Sequence, residues 1–186
     1  MNQKNKIVII SLLIIGGIMS RLLPHPENFS PIAAIGLFAG AYLSNQFAKF
    51  LIPLFTLFIS DVILNNTIYA SYNSGFTVFY DGFYWVYGSF AAVILVGYLI
   101  LKKISLLNIV ISSGLGSILF FIISNFGVWA GTSMYPKSGI GLAACYTAGL
   151  PFLGNAICGD LFYTSIIFGV WEFGFKKLFT TKLITN

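Results

Sequence analysis

Charge is what this sequence has least of. Only 8% of its 186 residues are Asp, Glu, Lys or Arg, while 58% are hydrophobic. A soluble domain carries about 25% charged residues. So few charges cannot coat a water-facing surface. That excludes a soluble globular protein and leaves an integral membrane protein, read as one transmembrane domain over residues 1–186. Histidine occurs once, and neither C-x-x-C nor H-E-x-x-H is present, which excludes a zinc site built from protein ligands alone. Two cysteines, Cys145 and Cys158, are too few for a disulfide framework. In apolar surroundings they read as small packing residues; a bridge on an oxidising face or a soft ligand is the sharper alternative. There is no G-x-x-x-x-G-K-[ST] loop, so the chain does not hydrolyse ATP by that route, and no G-x-S-x-G. We therefore expect no enzyme, no catalytic residue, and no resident cofactor or metal. The net charge of +5 would point to nucleic acid in a soluble protein. Here the lysines flank apolar runs, so nucleic acid is not an expected partner and the lipid bilayer is.

What is present is a series of apolar runs. They cover 7–23, 32–47, 50–64, 83–101, 106–124 and 160–175, several near the roughly 17–25 residues that cross a bilayer. Between the last two lies 139–153, apolar, Gly-rich and closed by Pro151. It reads as a short or re-entrant helix, or as the first half of a broken last span. The expected fold is all-α: a polytopic membrane bundle of about six transmembrane helices, with one extra short or re-entrant helix near 139–153. The first run also resembles a signal peptide, but it lacks an A-x-A cleavage site.

Six spans starting inside put Lys4, Lys6, Lys49, Lys102, Lys103, Lys176, Lys177 and Lys182 on the inner face, and only Arg21 and Lys137 on the outer. The positive-inside rule then predicts a multi-pass protein of the cytoplasmic membrane with both termini cytoplasmic. The same topology gathers the scarce polar groups outside. These are Arg21, His25, Glu27 and Asn28; then 61–81, with Asp61, Asn65, Asn66, Tyr80 and Asp81; then 125–160, with Asn125, Trp129, Tyr135, Lys137, Tyr146, Asn155 and Asp160. Aromatic walls with a few placed polar groups describe a small-molecule pocket.

Plainer readings exist for many of these residues. Pro24, Pro26 and Pro31 serve to stop one helix and start the next, with Ser30 capping ahead of Pro31. Most Tyr and Trp side chains suit an interfacial belt. Asp61 and Asp160 resist such a reading, because an ionisable group within a span is costly and usually has a partner. Arg21, the only arginine, is the expected partner of one of them. Glu172 and Lys176 read as an i,i+4 surface pair. Two small-residue rows, Gly36/Gly40/Ser44 and Gly141/Cys145/Gly149, suit close helix packing inside the bundle or docking to another membrane protein.

Several stretches carry a family resemblance: R-L-L-P-H-P-E-N-F-S-P-I-A-A from Arg21, N-F-G-V-W at 125–129, A-C-Y-T-A-G-L-P-F at 144–152, and N-A-I-C-G-D-L-F-Y at 155–163. From Arg21 to about Gly169 the chain resembles an uncharacterised bacterial family of small integral membrane proteins described as transport proteins. That family is similar to the S components of energy-coupling-factor vitamin transporters in size, six spans, cytoplasmic termini and an outward-facing site. The resemblance implies a substrate-binding subunit and a separate ATPase and coupling module as partner. S components carry a small-residue docking row on their first helix; here the nearest counterpart is Gly36/Gly40/Ser44 on the second run. Some solitary relatives bind vitamin B12 through a cysteine, and the 65–82 stretch here has none.

The expected function is uptake of a small, vitamin-like molecule. Arg21, His25, Asp61, Asn65, Asn66, Asn125, Trp129, Tyr135, Tyr146, Asn155 and Asp160 would line the site, with Arg21 orienting a carboxylate. The alternative is a non-transporting scaffold or accessory subunit of a larger complex.

Overall fold

The structure is a computed structural model that describes residues 3–175. Small polar residues cut the apolar runs into helices. Asn45 accepts from Ala48 N at 3.0 Å, Ser105 from Asn108 N at 3.2 Å and Ser138 from Gly141 N at 3.2 Å, each satisfying an orphan donor of a first turn. Six α-helices result: α1 (Gln3–Leu22), α2 (Ile32–Tyr42), α3 (Gln46–Asn66), α4 (Phe83–Ile100), α5 (Leu106–Gly131) and α6 (Gly139–Gly169), the last ending in a π-helical turn, Val170–Phe175. No strand occurs among the described residues. The protein is an all-helical membrane bundle: α3, α4, α5 and α6 with its turn are long and apolar enough to cross a bilayer, while α1 and α2 contribute shorter apolar stretches.

Three boundaries differ from expectation. The run 32–47 breaks at 43–45, because the Asn45 cap starts α3 and claims Phe47 for it. The run 106–124 continues to Gly131. The segment 139–153 is not an extra or re-entrant helix but the first half of α6, which passes through Pro151 without ending. Inside a membrane bundle, neighbouring groups can compensate the hydrogen bond that proline removes, so the helix survives where a soluble one would kink or break.

The short helix α2 is the hub, the one element that packs against all five other helices. Nine of its 11 residues are buried. It is apolar on every side, the pattern of a helix surrounded by protein rather than lying at a surface. Its closest partner is α4. A Cβ at Gly40 would sit 2.5 Å from the Ile94 carbonyl oxygen, and one at Gly97 would sit 2.6 Å from the Leu37 oxygen. Only glycine permits this backbone-to-backbone approach. Both small-residue rows are therefore spent inside the bundle. Gly36 and Gly40 face α4, Gly141 faces the Pro136 turn and Gly149 faces Asn125 of α5, while Ser44 lies in the 43–45 break.

Lys49 and Lys102 meet over the Tyr98 ring at one end of the bundle, where Tyr42 also donates to Glu172. Glu172 thus ties α6 to α2; its expected partner Lys176, with Lys177 and Lys182, lies outside the described residues. At the opposite end lie Arg21, the 67–82 connection and the 132–138 turn.

The glycine contact sets a test. Gly40→Ala should lower the thermal midpoint of the detergent-solubilised protein, since overpacking costs about 1–3 kcal/mol and the obstructing atoms are backbone. Gly114→Ala, where a Cβ meets nothing within 4 Å, should leave the midpoint unchanged or raise it.

Candidate functional site

Because α2 starts deep in the bundle, the chain between Leu22 and Ile32 must travel inward without helical hydrogen bonds. Its prolines prevent helix. The path turns through Phe29 N to Pro26 O at 3.0 Å and through Asn28 in the left-handed region at φ 63°. The helix α2 starts one residue later than Ser30 and Pro31 predict: Pro31 is the N-cap, no side chain caps it, and Ser30 Oγ stands 3.5 Å from Ile32 N. Irregular backbone at this depth is tolerated where it is buried in protein or lines a cavity, and here it lines one.

That cavity has a volume of about 690 Å³, in the range of ~300–1,000 Å³ common for small-molecule sites. Exposed Glu27 and Asn28 stand at its mouth, Ala33 of α2 and buried Asp160 lie deep within, and Phe90, Phe120 and Phe152 form apolar wall. Of the residues expected at the site, Arg21, His25, Asn125, Tyr135 and Asp160 line it. Asp61 and Asn65 line a second, shallower cavity of about 340 Å³, which shares Arg21 and Tyr80 with the first.

Arg21 is the joint between the two. Its Nη1 donates to Asp61 Oδ1 at 2.7 Å and to Ser60 Oγ at 2.5 Å, with Leu57 O at 3.4 Å. Tyr87 Oη donates to the other Asp61 oxygen at 3.1 Å. Of the two carboxylates proposed as the partner of Arg21, the structure selects Asp61, and this is the one ion pair among the described residues. Arg21 still borders the cavity, but it reaches any ligand as half of a neutralised pair. In the 67–82 connection, burial and the nearby Asp61 carboxylate push the Tyr80 hydroxyl above the usual phenol range. Tyr80 is a neutral donor at physiological pH.

Asp160 has a different environment. It is 5% exposed. Ser117, in the middle of α5, lies with Oγ 2.6 Å from its Oδ2, and no cation pairs with it among the described residues. Sequence reasoning placed Asp160 at the outer face; the unbroken α6 carries it instead to the depth of mid-α5.

Four expected residues stand off both cavities, and three of them hold the frame. Asn66 exchanges hydrogen bonds with Thr77, at 2.7 and 2.8 Å, and pins the 67–82 connection. Trp129 Nε1 donates to Pro136 O at 3.0 Å, and Lys137 donates to the Trp129 carbonyl, stapling the 132–138 turn. Tyr146 Oη donates to Ile122 O at 2.8 Å across α5 and α6. Asn155 is half-buried and stands off the cavity. Cys145 lines the cavity with its thiol on Asn125 O at 3.4 Å, Cys158 is exposed, and the two are not bridged. Tyr87 and Ser117, which bond the two buried carboxylates, and Ser60, which accepts from Arg21, are not named in the sequence reading. Only the S-S-G-L-G-S run of α5, a polar stripe in an apolar helix, marks one of them in the sequence.

Removing the guanidinium should expose the cost of the pair. Arg21→Ala leaves Asp61 buried without its cation, a change that costs about 3–5 kcal/mol for fully buried pairs and less here, where the Arg21 side chain is 18% exposed. Thermal unfolding should show Arg21→Ala less stable than Arg21→Ala/Asp61→Asn, which no longer carries the orphaned charge.

No curated protein and no solved structure matches the chain. One family model does, over residues 1–182, nearly the full length. The protein belongs to the family of unknown function DUF6580.

Proposed function

We propose that the chain is a small-molecule uptake protein of the cytoplasmic membrane, which binds a vitamin-sized ligand without covalent chemistry. The observation that carries this reading is the cavity of about 690 Å³, sunk to the depth of α2 and walled by phenylalanines with a few polar groups. Under the positive-inside asymmetry its mouth faces outward. Aromatic walls at Phe90, Phe120 and Phe152 suit a flat ring, while Asn125, His25 and Tyr135 supply hydrogen bonds at its edges. The neutralised Arg21–Asp61 pair and the lone Asp160 make the site more receptive to a cationic or hydrogen-bond-donating group than to a carboxylate. The resemblance of its sequence motifs to a family similar to S components is the ground for a separate ATPase and coupling module as the energy source. The scaffold alternative loses its clearest docking features, because Gly36, Gly40, Gly141 and Gly149 all pack within the bundle.

Native mass spectrometry of the protein gently extracted from its own membrane tests the reading. A bound adduct of vitamin size is expected, and it should be lost in Asp160→Ala while that variant keeps its fold. A bare chain held stoichiometrically to another membrane protein, with outer-loop substitutions altering assembly only, would overturn it.

A further inference from the structure

Ser117 has one hydroxyl hydrogen and two acceptors in reach. Its Oγ lies 2.6 Å from Asp160 Oδ2 and 3.1 Å from the Ser113 carbonyl oxygen. With Asp160 ionised, the carboxylate is an acceptor only, so the serine hydrogen can serve one contact and leaves the other without a proton. With a proton on Asp160, the carboxyl O–H donates to Ser117 Oγ and the serine hydrogen goes to Ser113 O. Both contacts are then filled.

The surroundings agree with the neutral form. Asp160 is 5% exposed, in the middle of the bundle, where an unpaired carboxylate is most costly. The arginine that could neutralise it is bound to Asp61. The remaining titratable groups stand on the cavity above: His25 and Glu27 on the irregular segment, Cys145 on α6, and Tyr69, Tyr80 and Tyr135 in the connections. Tyr163, on the helix of Asp160, bonds Ser20. α5 presents serines to Asp160, and the start of α2 presents alanine and isoleucine; neither offers a charge. One turn further from the mouth, on the same helix faces as Ser117 and Asp160, the hydroxyls of Ser113 and Thr164 are buried without a partner.

We propose that Asp160 and Ser117 form a proton-binding site deep in the cavity, with the proton on the Asp160 carboxyl when no ligand is bound. On release, the O–H bond of Asp160 breaks, the proton passes to water or to a basic group of the ligand in the cavity, and the carboxylate left behind accepts from Ser117. A cationic ligand group at that spot and the proton are then mutually exclusive occupants. If the cavity serves uptake, a step that rests on the reading above, binding of a cationic substrate group displaces the proton from Asp160.

Infrared difference spectroscopy on the full chain in lipid tests the site without any ligand, so its result is independent of whether the protein transports. Wild type near neutral pH should show a protonated-carboxyl stretch that shifts in D₂O. It should be missing in Asp160→Asn, retained in Asp61→Asn, and moved to higher frequency in Ser117→Ala, which loses the acceptor. The Ser117 shift is decisive even if Asp160→Asn fails to fold. No such band, or a band that survives in a folded Asp160→Asn, overturns the proposal. Loss of the band when sodium chloride replaces choline chloride at fixed pH also overturns it, in favour of a sodium site.

Discussion

A helix of 11 residues is about 16 Å long at 1.5 Å per residue, roughly half of the ~30 Å hydrocarbon core. The rest of the bundle follows from that shortfall. α2 is apolar on every side and reaches van der Waals contact with α4 through Gly40 and Gly97, so it occupies the centre of the bundle. Above it, the surrounding helices have no central neighbour. The space is lined partly by the backbone of residues 23–31, which could not exist against lipid because its polar groups lack helical partners. The cavity and the irregular segment are therefore two aspects of one constraint. Backbone groups at membrane depth must be satisfied, and only a polar-lined recess lets a chain reach a half-length helix.

The two buried carboxylates divide the work of that recess. Asp61, near the end of α3, receives Arg21 and Tyr87 and is neutralised in place. It fixes the end of α1 against α3 at the mouth. Asp160, on the longest helix, has one serine. A paired carboxylate shapes a wall, while an unpaired one in a low-dielectric site responds to whatever charge enters beside it. The chain has a single arginine, so only one of the two can be held by a guanidinium.

Much of the frame was legible in the sequence because the membrane restricts the choices. Length and apolarity marked most of the helices, and two lysines expected on one face, Lys49 and Lys102, do lie over the same ring, Tyr98. The stops were harder to read. Pro151 looked like a terminus by the rules of water-soluble helices, yet α6 runs through it. The site was legible in part. Residues whose cost demands explanation, Arg21, Asp61 and Asp160, are at the cavities. Asn66, Trp129 and Tyr146 were chosen for polarity at the outer end, and each proves to satisfy a backbone group of a nearby turn or helix. Sequence cannot separate a polar side chain that caps a neighbour's backbone from one that faces a void. The serines were invisible for the opposite reason, since a hydroxyl is cheap to place in a helix.

The centrality of α2 has a consequence for how the protein is made. An insertion machinery recognises spans by length and apolarity, one or two at a time, and 11 residues do not meet that threshold. The surface that holds α2, the Gly97 face of α4, is synthesised 55 or more residues after α2 itself (97 − 42 = 55). Until α4 has been made, α2 lacks the glycine face against which it packs in the finished bundle. The centre of the bundle is thus made before most of the surround that holds it.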